Sequence, residues 1–147
     1  MQKVLFVEDE GQMLWVETMV RLLQAFEFDL DVVCEPNDAM ERLTAAGSRY
    51  DAILLDVLMG TDGRYTDSET AGGSNTGLVM LAEIRRSFRR IPVVIFTIKA
   101  RSSFKRELDE GLVQEVIEKP ANAVRVASVL RNVLKLGAGL AGDSLAL

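Results

Sequence analysis

Four places in this 147-residue chain carry side chains able to do chemistry. Glu8 and Asp9 follow the apolar run Val4 to Val7, and Asp56 follows Ala52 to Leu55. Thr97 ends the run Ile91 to Phe96, and Lys119 stands beyond Val113 to Ile117, just before Pro120. A carboxylate directly after a buried run is costly if it stays in the core, so these acids belong where strands end. In open α/β sheets the carboxyl ends of parallel strands are where ligands sit. Asp56 alone reads at least as well as a turn cap; the other places give it a chemical role. Glu8, Asp9 and Asp56 would converge at one sheet edge. Two carboxylates about 5 Å apart at an effective dielectric near ~20 repel by roughly 3 kcal/mol, so the cluster calls for a cation. Oxygen-only ligands at an open edge favour Mg²⁺, which keeps waters and accepts a phosphoryl oxygen. Thr97 and Lys119 would then set a hydroxyl and an ammonium against a phosphoryl group on Asp56.

The elements that must position these groups are readable from period and punctuation. Val4 to Val7, Asp31 to Cys34, Ala52 to Leu55, Ile91 to Phe96 and Val113 to Ile117 read as strands. Apolar residues at helical spacing predict a helix over Gln12 to Phe26 with a broad apolar arc, in which Trp15, Met19, Leu22 and Phe26 flank Val16, Val20 and Leu23. Pro36 and Asn37 start a second helix through Ala46, which Gly47 can end. Thr76 is the expected N-cap of a third from Gly77 to about Arg89, Ser102 or Ser103 of a fourth, and Val126 to Leu136 marks a last one. Strands alternating with helices imply right-handed crossovers and a parallel sheet covered on both faces. The expected fold is α/β: a doubly wound, five-stranded parallel sheet with flanking helices. One connection, Thr61 to Thr76, is polar, glycine-rich and longer than ordinary loops. The domain reads as 1–136, with 137–147 as a flexible tail.

Composition narrows the chemistry. At 48% hydrophobic and 27% charged residues the chain suits one domain. The single cysteine, Cys34, reads as a small buried hydrophobe and implies a reducing compartment. No run approaches membrane-spanning length and the N-terminus lacks a signal-type apolar core, so a cytoplasmic location is expected. The absence of histidine removes a histidine phosphodonor, a serine–histidine pair and an imidazole metal site. A net charge of −5 argues against nonspecific nucleic-acid binding, and Arg85, Arg86, Arg89 and Arg90 suit the end of a helix dipole.

The acidic pair Glu8-Asp9, Asp56 followed by Val57-Leu58-Met59, Thr97 at a strand end and Lys119-Pro120, in this order on five β/α units, resemble a response-regulator receiver domain (CheY-like) of two-component signalling. The resemblance covers about residues 3 to 136 and implies the flavodoxin-like receiver architecture. It implies Asp56 as phospho-acceptor, with Glu8, Asp9, Asp56 and the Leu58 backbone carbonyl as Mg²⁺ ligands. Thr97 and Lys119 would contact the phosphoryl oxygens, and the Lys119–Pro120 bond is one that is often cis in the family. The implied partners are a histidine kinase or histidine phosphotransfer protein and an unknown protein target, with no nucleic acid and no membrane. The implied protein is no enzyme beyond self-catalysed phosphotransfer and autodephosphorylation.

The departures from that pattern bear on output. Gly60 stands where the family usually has proline, the insertion at 61–76 replaces a short loop leading to the glycine matched by Gly77, and Ile98 replaces a small residue after the hydroxyl. Val116 occupies the place of a switching aromatic. A phosphorylation-independent pseudo-receiver that keeps only the contacts is therefore the alternative. A haloacid-dehalogenase-type phosphohydrolase needs a second aspartate where Leu58 stands, and a nucleotide module needs GxxxxGK[ST], which is absent. The insertion is expected to act as a partial lid over the cleft. If the arc of the first helix is exposed, it predicts a homodimer.

Overall fold

Each apolar run followed by an acid, hydroxyl or lysine forms a strand that ends at one edge of a single sheet. The computed structural model describes the backbone of residues 1–146 and the side chains of residues 1–135. The strands are β1 (Gln2–Val7), β2 (Phe28–Val33), β3 (Ala52–Leu55), β4 (Val93–Thr97) and β5 (Glu115–Glu118), in the order β2-β1-β3-β4-β5 and all parallel. The doubly wound sheet is therefore as expected. Side chains alternate between its faces. Val4, Phe6, Leu54, Val94, Phe96 and Ile117 enter one core with α1 (Leu14–Ala25) and α6 (Ala123–Ala146). Leu5, Val7, Ile53, Leu55, Ile95 and Val116 enter the other, under α2 (Pro36–Thr44) and α4 (Thr76–Ser87). A sheet covered on both faces needs strands that are apolar throughout, and β3 and β4 are buried at every position.

Several boundaries differ from expectation, each for a local reason. β2 begins at Phe28 because Phe28 and Leu30 turn inward between Asp29 and Asp31, the alternation of a sheet-edge strand. β4 takes in Thr97 and β5 begins only at Glu115. Thr76 does not cap α4: Asn75 holds that position, and the buried Thr76 hydroxyl donates to the Met59 carbonyl at 2.7 Å. Neither Ser102 nor Ser103 caps a helix; they lie in a 3-10 turn, Arg101–Phe104, that leads into the single-turn α5 (Lys105–Asp109). In α1 the arc is mostly core-facing, with Met19 buried and Trp15 and Phe26 packed against the core, while Leu22 is exposed. The tail expected over 137–147 lies where side chains are outside the described residues. Among the described residues no helix is long and apolar enough to cross a membrane.

The long connection is ordered by its own polar groups. Thr66 and Glu69 form a reciprocal capping box that starts α3 (Asp67–Thr70), and Ala71, Gly72 and Gly73 follow with φ of 51°, 69° and 94°. Arg64 bonds both carboxylate oxygens of Glu83 on α4 and also Asn37 on α2, while Tyr65 donates to Glu83 at 2.6 Å. Asn37 in turn donates to Asp62. The connection is thus a strap fastened to α2 and α4.

Candidate functional site

β1, β3, β4 and β5 bring Glu8, Asp56, Thr97 and Lys119 to one end of the sheet. Asp56 leaves β3 with its amide bonded to the Val7 carbonyl at 2.9 Å, and its Oδ1 accepts from the Val57 amide at 2.8 Å. The residue is only 4% exposed. Its Oδ2 stands 3.5 Å from Lys119 Nζ, whose closer partner is Glu8 Oε1 at 2.5 Å. Glu8 is fully buried, and its Oε2 accepts from the Glu10 amide at 3.0 Å. Burial pushes the Asp56 carboxyl up to about 7, and the neighbouring Glu8 adds to this; Lys119 and the Val57 N–H oppose it.

Lys119 is held from both sides. Its ammonium lies 5.2 Å from the ring centres of both Trp15 and Phe96, which meet edge to face at 6.3 Å. The Trp15 indole N–H is fixed by Glu10 at 3.2 Å. The Lys119 amide donates to the Thr97 carbonyl at 2.7 Å, and the Lys119–Pro120 bond is cis. Thr97 is fully buried and its hydroxyl accepts from the Lys99 amide at 3.2 Å.

Asp9 is exposed, and with Leu58 to Thr61 it borders a recess of about 570 Å³ whose other walls are Asp67 and Gly72 to Ser74 of the strap. Among the described residues no three acid, cysteine or histidine side chains stand close enough to cage a metal ion as arranged. The donor set nevertheless suits a hard divalent cation. Glu8 and Asp56 share one ammonium, Asp9 is free to turn, and the Leu58 carbonyl accepts no hydrogen bond among the described residues, unlike those of Val57 and Met59.

α4 approaches this site as closely as a helix can. A Cβ on Gly77 would lie 2.2 Å from the Asp56 carbonyl oxygen and 2.6 Å from Val57 Cα, so only hydrogen fits. Val116 is buried at 2% exposure, and Ile98 stands out at 69% on the rim. Sequence reasoning missed the Trp15–Lys119–Phe96 stack and Lys99, whose ammonium donates to the Ser74 carbonyl at 2.7 Å and to Asn75 Oδ1 at 2.9 Å. Long-range polar contacts of this kind leave no periodic signal.

No family model matches this sequence. Solved structures share its fold at low identity. The response regulator receiver domain protein (CheY-like) of Methanospirillum hungatei superposes with a TM-score of 0.73 at 12% identity, covering 95% of this chain and 98% of that one. The chemotaxis protein CheY4 of Vibrio cholerae gives 0.68 at 22% identity, over 90% and 98%. The response regulator TrrA of Thermotoga maritima, solved in complex with Mg²⁺ and beryllofluoride, gives 0.67 at 20% identity, over 90% and 99%. The chain has the CheY-like receiver fold.

Proposed function

We propose that the protein is a cytoplasmic response regulator that accepts a phosphoryl group on Asp56 and signals through protein contacts. The observation that carries this reading is Asp56 itself: buried beside Glu8, with one shared ammonium, at the open end of a receiver-type sheet. An Asp56 carboxylate oxygen attacks the phosphorus of a phosphohistidine on a kinase or phosphotransfer protein. The new O–P bond forms as the P–N bond breaks, and the electron pair leaves on the imidazole nitrogen, which takes up a proton. Glu8, Asp9, Asp56 and the Leu58 carbonyl would hold Mg²⁺, which would supply charge neutralisation at the phosphoryl oxygens. Lys119 turns its ammonium from Glu8 toward the phosphoryl group, from its place against the rings of Trp15 and Phe96. The Thr97 hydroxyl donates to a second phosphoryl oxygen, and water later cleaves the acyl phosphate.

Incubation with Mg²⁺ and a small acyl phosphate, read by intact mass, tests this. One added phosphoryl group in the parent and none in Asp56→Asn is the expected result; an unmodified parent overturns it. The second reading, a phosphorylation-independent contact module, is favoured by one feature, the closure of Glu8 on Lys119. The same measurement separates the two.

A further inference from the structure

Lys99 joins the hydroxyl side of the cleft to the strap. Its amide donates to the Thr97 hydroxyl at 3.2 Å, and its ammonium reaches the Ser74 carbonyl at 2.7 Å and Asn75 Oδ1 at 2.9 Å. Among the described residues this ammonium meets no carboxylate, so its hold on the strap consists of these two neutral acceptors. The segment it holds lies between two fixed supports. On one side Arg64 and Tyr65 are fastened to Glu83, and on the other Thr76 is bonded to the Met59 carbonyl. Between them lie the three consecutive left-handed residues Ala71 to Gly73. They are bonded within the strap, the Gly72 amide to the Asp67 carbonyl at 2.9 Å and the Gly73 amide to Thr70 Oγ1 at 3.2 Å, and to the scaffold through the Met59 amide, which donates to the Gly73 carbonyl at 3.3 Å.

We infer that Lys99 tethers residues 66–75 to the hydroxyl side of the cleft, so that filling the cleft loosens this segment and makes the strap the surface on which the state of Asp56 is read. The inference rests on the reading of Asp56 as phospho-acceptor. When a phosphoryl oxygen draws the Thr97 hydroxyl inward, the bond from the Lys99 amide is given up and the residues after β4 shift with the hydroxyl. Lys99 then withdraws from Ser74 and Asn75, whose supports on α4 and β3 do not follow. Lys99 is a positioning residue in this scheme and touches no reacting atom.

The test uses the full chain with Mg²⁺ and beryllofluoride as the phosphoryl stand-in. Trp15 fluorescence reports cleft filling, because Trp15 lies against Lys119. Amide exchange over 66–75 reports the strap. In the parent, filling the cleft speeds exchange there by at least about fivefold, the lower range of measured couplings between sites. In Lys99→Met, exchange is fast in both states and filling changes it by less than about twofold. A merely structural lysine would raise exchange equally in both states and leave the response intact. Asn75→Ala removes one acceptor from the opposite end and should reduce the response, which keeps the test decisive if Lys99→Met does not fold. A Trp15 response without a change over 66–75 in the parent, or with an equal change in Lys99→Met, overturns the tether and leaves the phospho-acceptor reading standing. Loss of the Trp15 response in Lys99→Met means that Lys99 serves the cleft itself, and also overturns it. A parent that neither responds to beryllofluoride nor gains mass from an acyl phosphate overturns both.

Discussion

Replacing Asp56 by Asn should stabilise the metal-free protein, and by more at high pH than at low. The folded carboxyl is raised from 3.8 to about 7, chiefly by burial and then by Glu8. Between these values the folded state keeps a proton that the unfolded chain has released, so stability falls as pH rises through this window. Below it both states are protonated and the penalty is absent; above it the penalty is complete. At about 1.4 kcal/mol per pKa unit, the full shift is worth about 4 kcal/mol. Asn recovers only part of that, because its amide does not reproduce the hydrogen bonding of the protonated carboxyl at a buried site. A net gain of about 2 kcal/mol at pH ~8 is therefore expected, or roughly 4–8 °C for a chain of this size. Near pH ~4 the gain should be close to zero. Urea melts of both proteins in EDTA across this range give the difference directly, and the other acids cancel in it. If the parent–variant gap stays constant within about 0.5 kcal/mol from low to high pH, Asp56 does not carry the buried charge and the reasoning fails.

Three further outcomes follow from contacts elsewhere. Arg85 spends its guanidinium on the carbonyls of Leu112, Phe88 and Ile91, so Arg85→Met should cost about 2–4 kcal/mol in urea melts, with Lys restoring less than half of it. Gly77→Ala should destabilise by about 1–3 kcal/mol and change the phosphorylation rate in the intact-mass assay, since the new methyl must push α4 off the Asp56 carbonyl. Arg64, then Tyr65, hold the Glu83 carboxyl at about 2, so this contribution is complete above pH ~4.5 and is lost as pH falls toward ~2. Protection factors over 61–70, referred to the intrinsic exchange rate at each pH, should therefore fall on acidification across that window, and Glu83→Gln should flatten that fall.

How much was legible varies with the kind of interaction. β3 was readable to the residue, because a continuous apolar run that stops at an acid has one sensible placement. The same logic put Asp56, Glu8, Thr97 and Lys119 at one edge, since parallel strands fix which ends align. What failed was the polar part of the chain. The capping pattern Thr66-x-x-Glu69 stood in the sequence and marked the start of α3, but the glycines around it suggested a loop. The fastening of Arg64 to Glu83 joins residues far apart in sequence, and no local period predicts such a bond. Thr76 lost its capping role to a tertiary acceptor, Met59. Arg85, which reads as a helix-end charge, works as a strut for three carbonyls.

The closeness of the two roots of the strap has a consequence for its contents. The Met59 amide donates to the Gly73 carbonyl at 3.3 Å, and the Thr76 hydroxyl returns to the Met59 carbonyl at 2.7 Å. An excursion that leaves and rejoins a scaffold at one point is a cassette: what lies between can lengthen, shorten or be exchanged without altering the register of β3 against β4. Each doubling of its length costs only about 0.6 kcal/mol in closure entropy. New sequences can thus be carried beside an unchanged acidic cleft, and the rim of Asp56 becomes a place where the surface can diverge while the cleft stays the same.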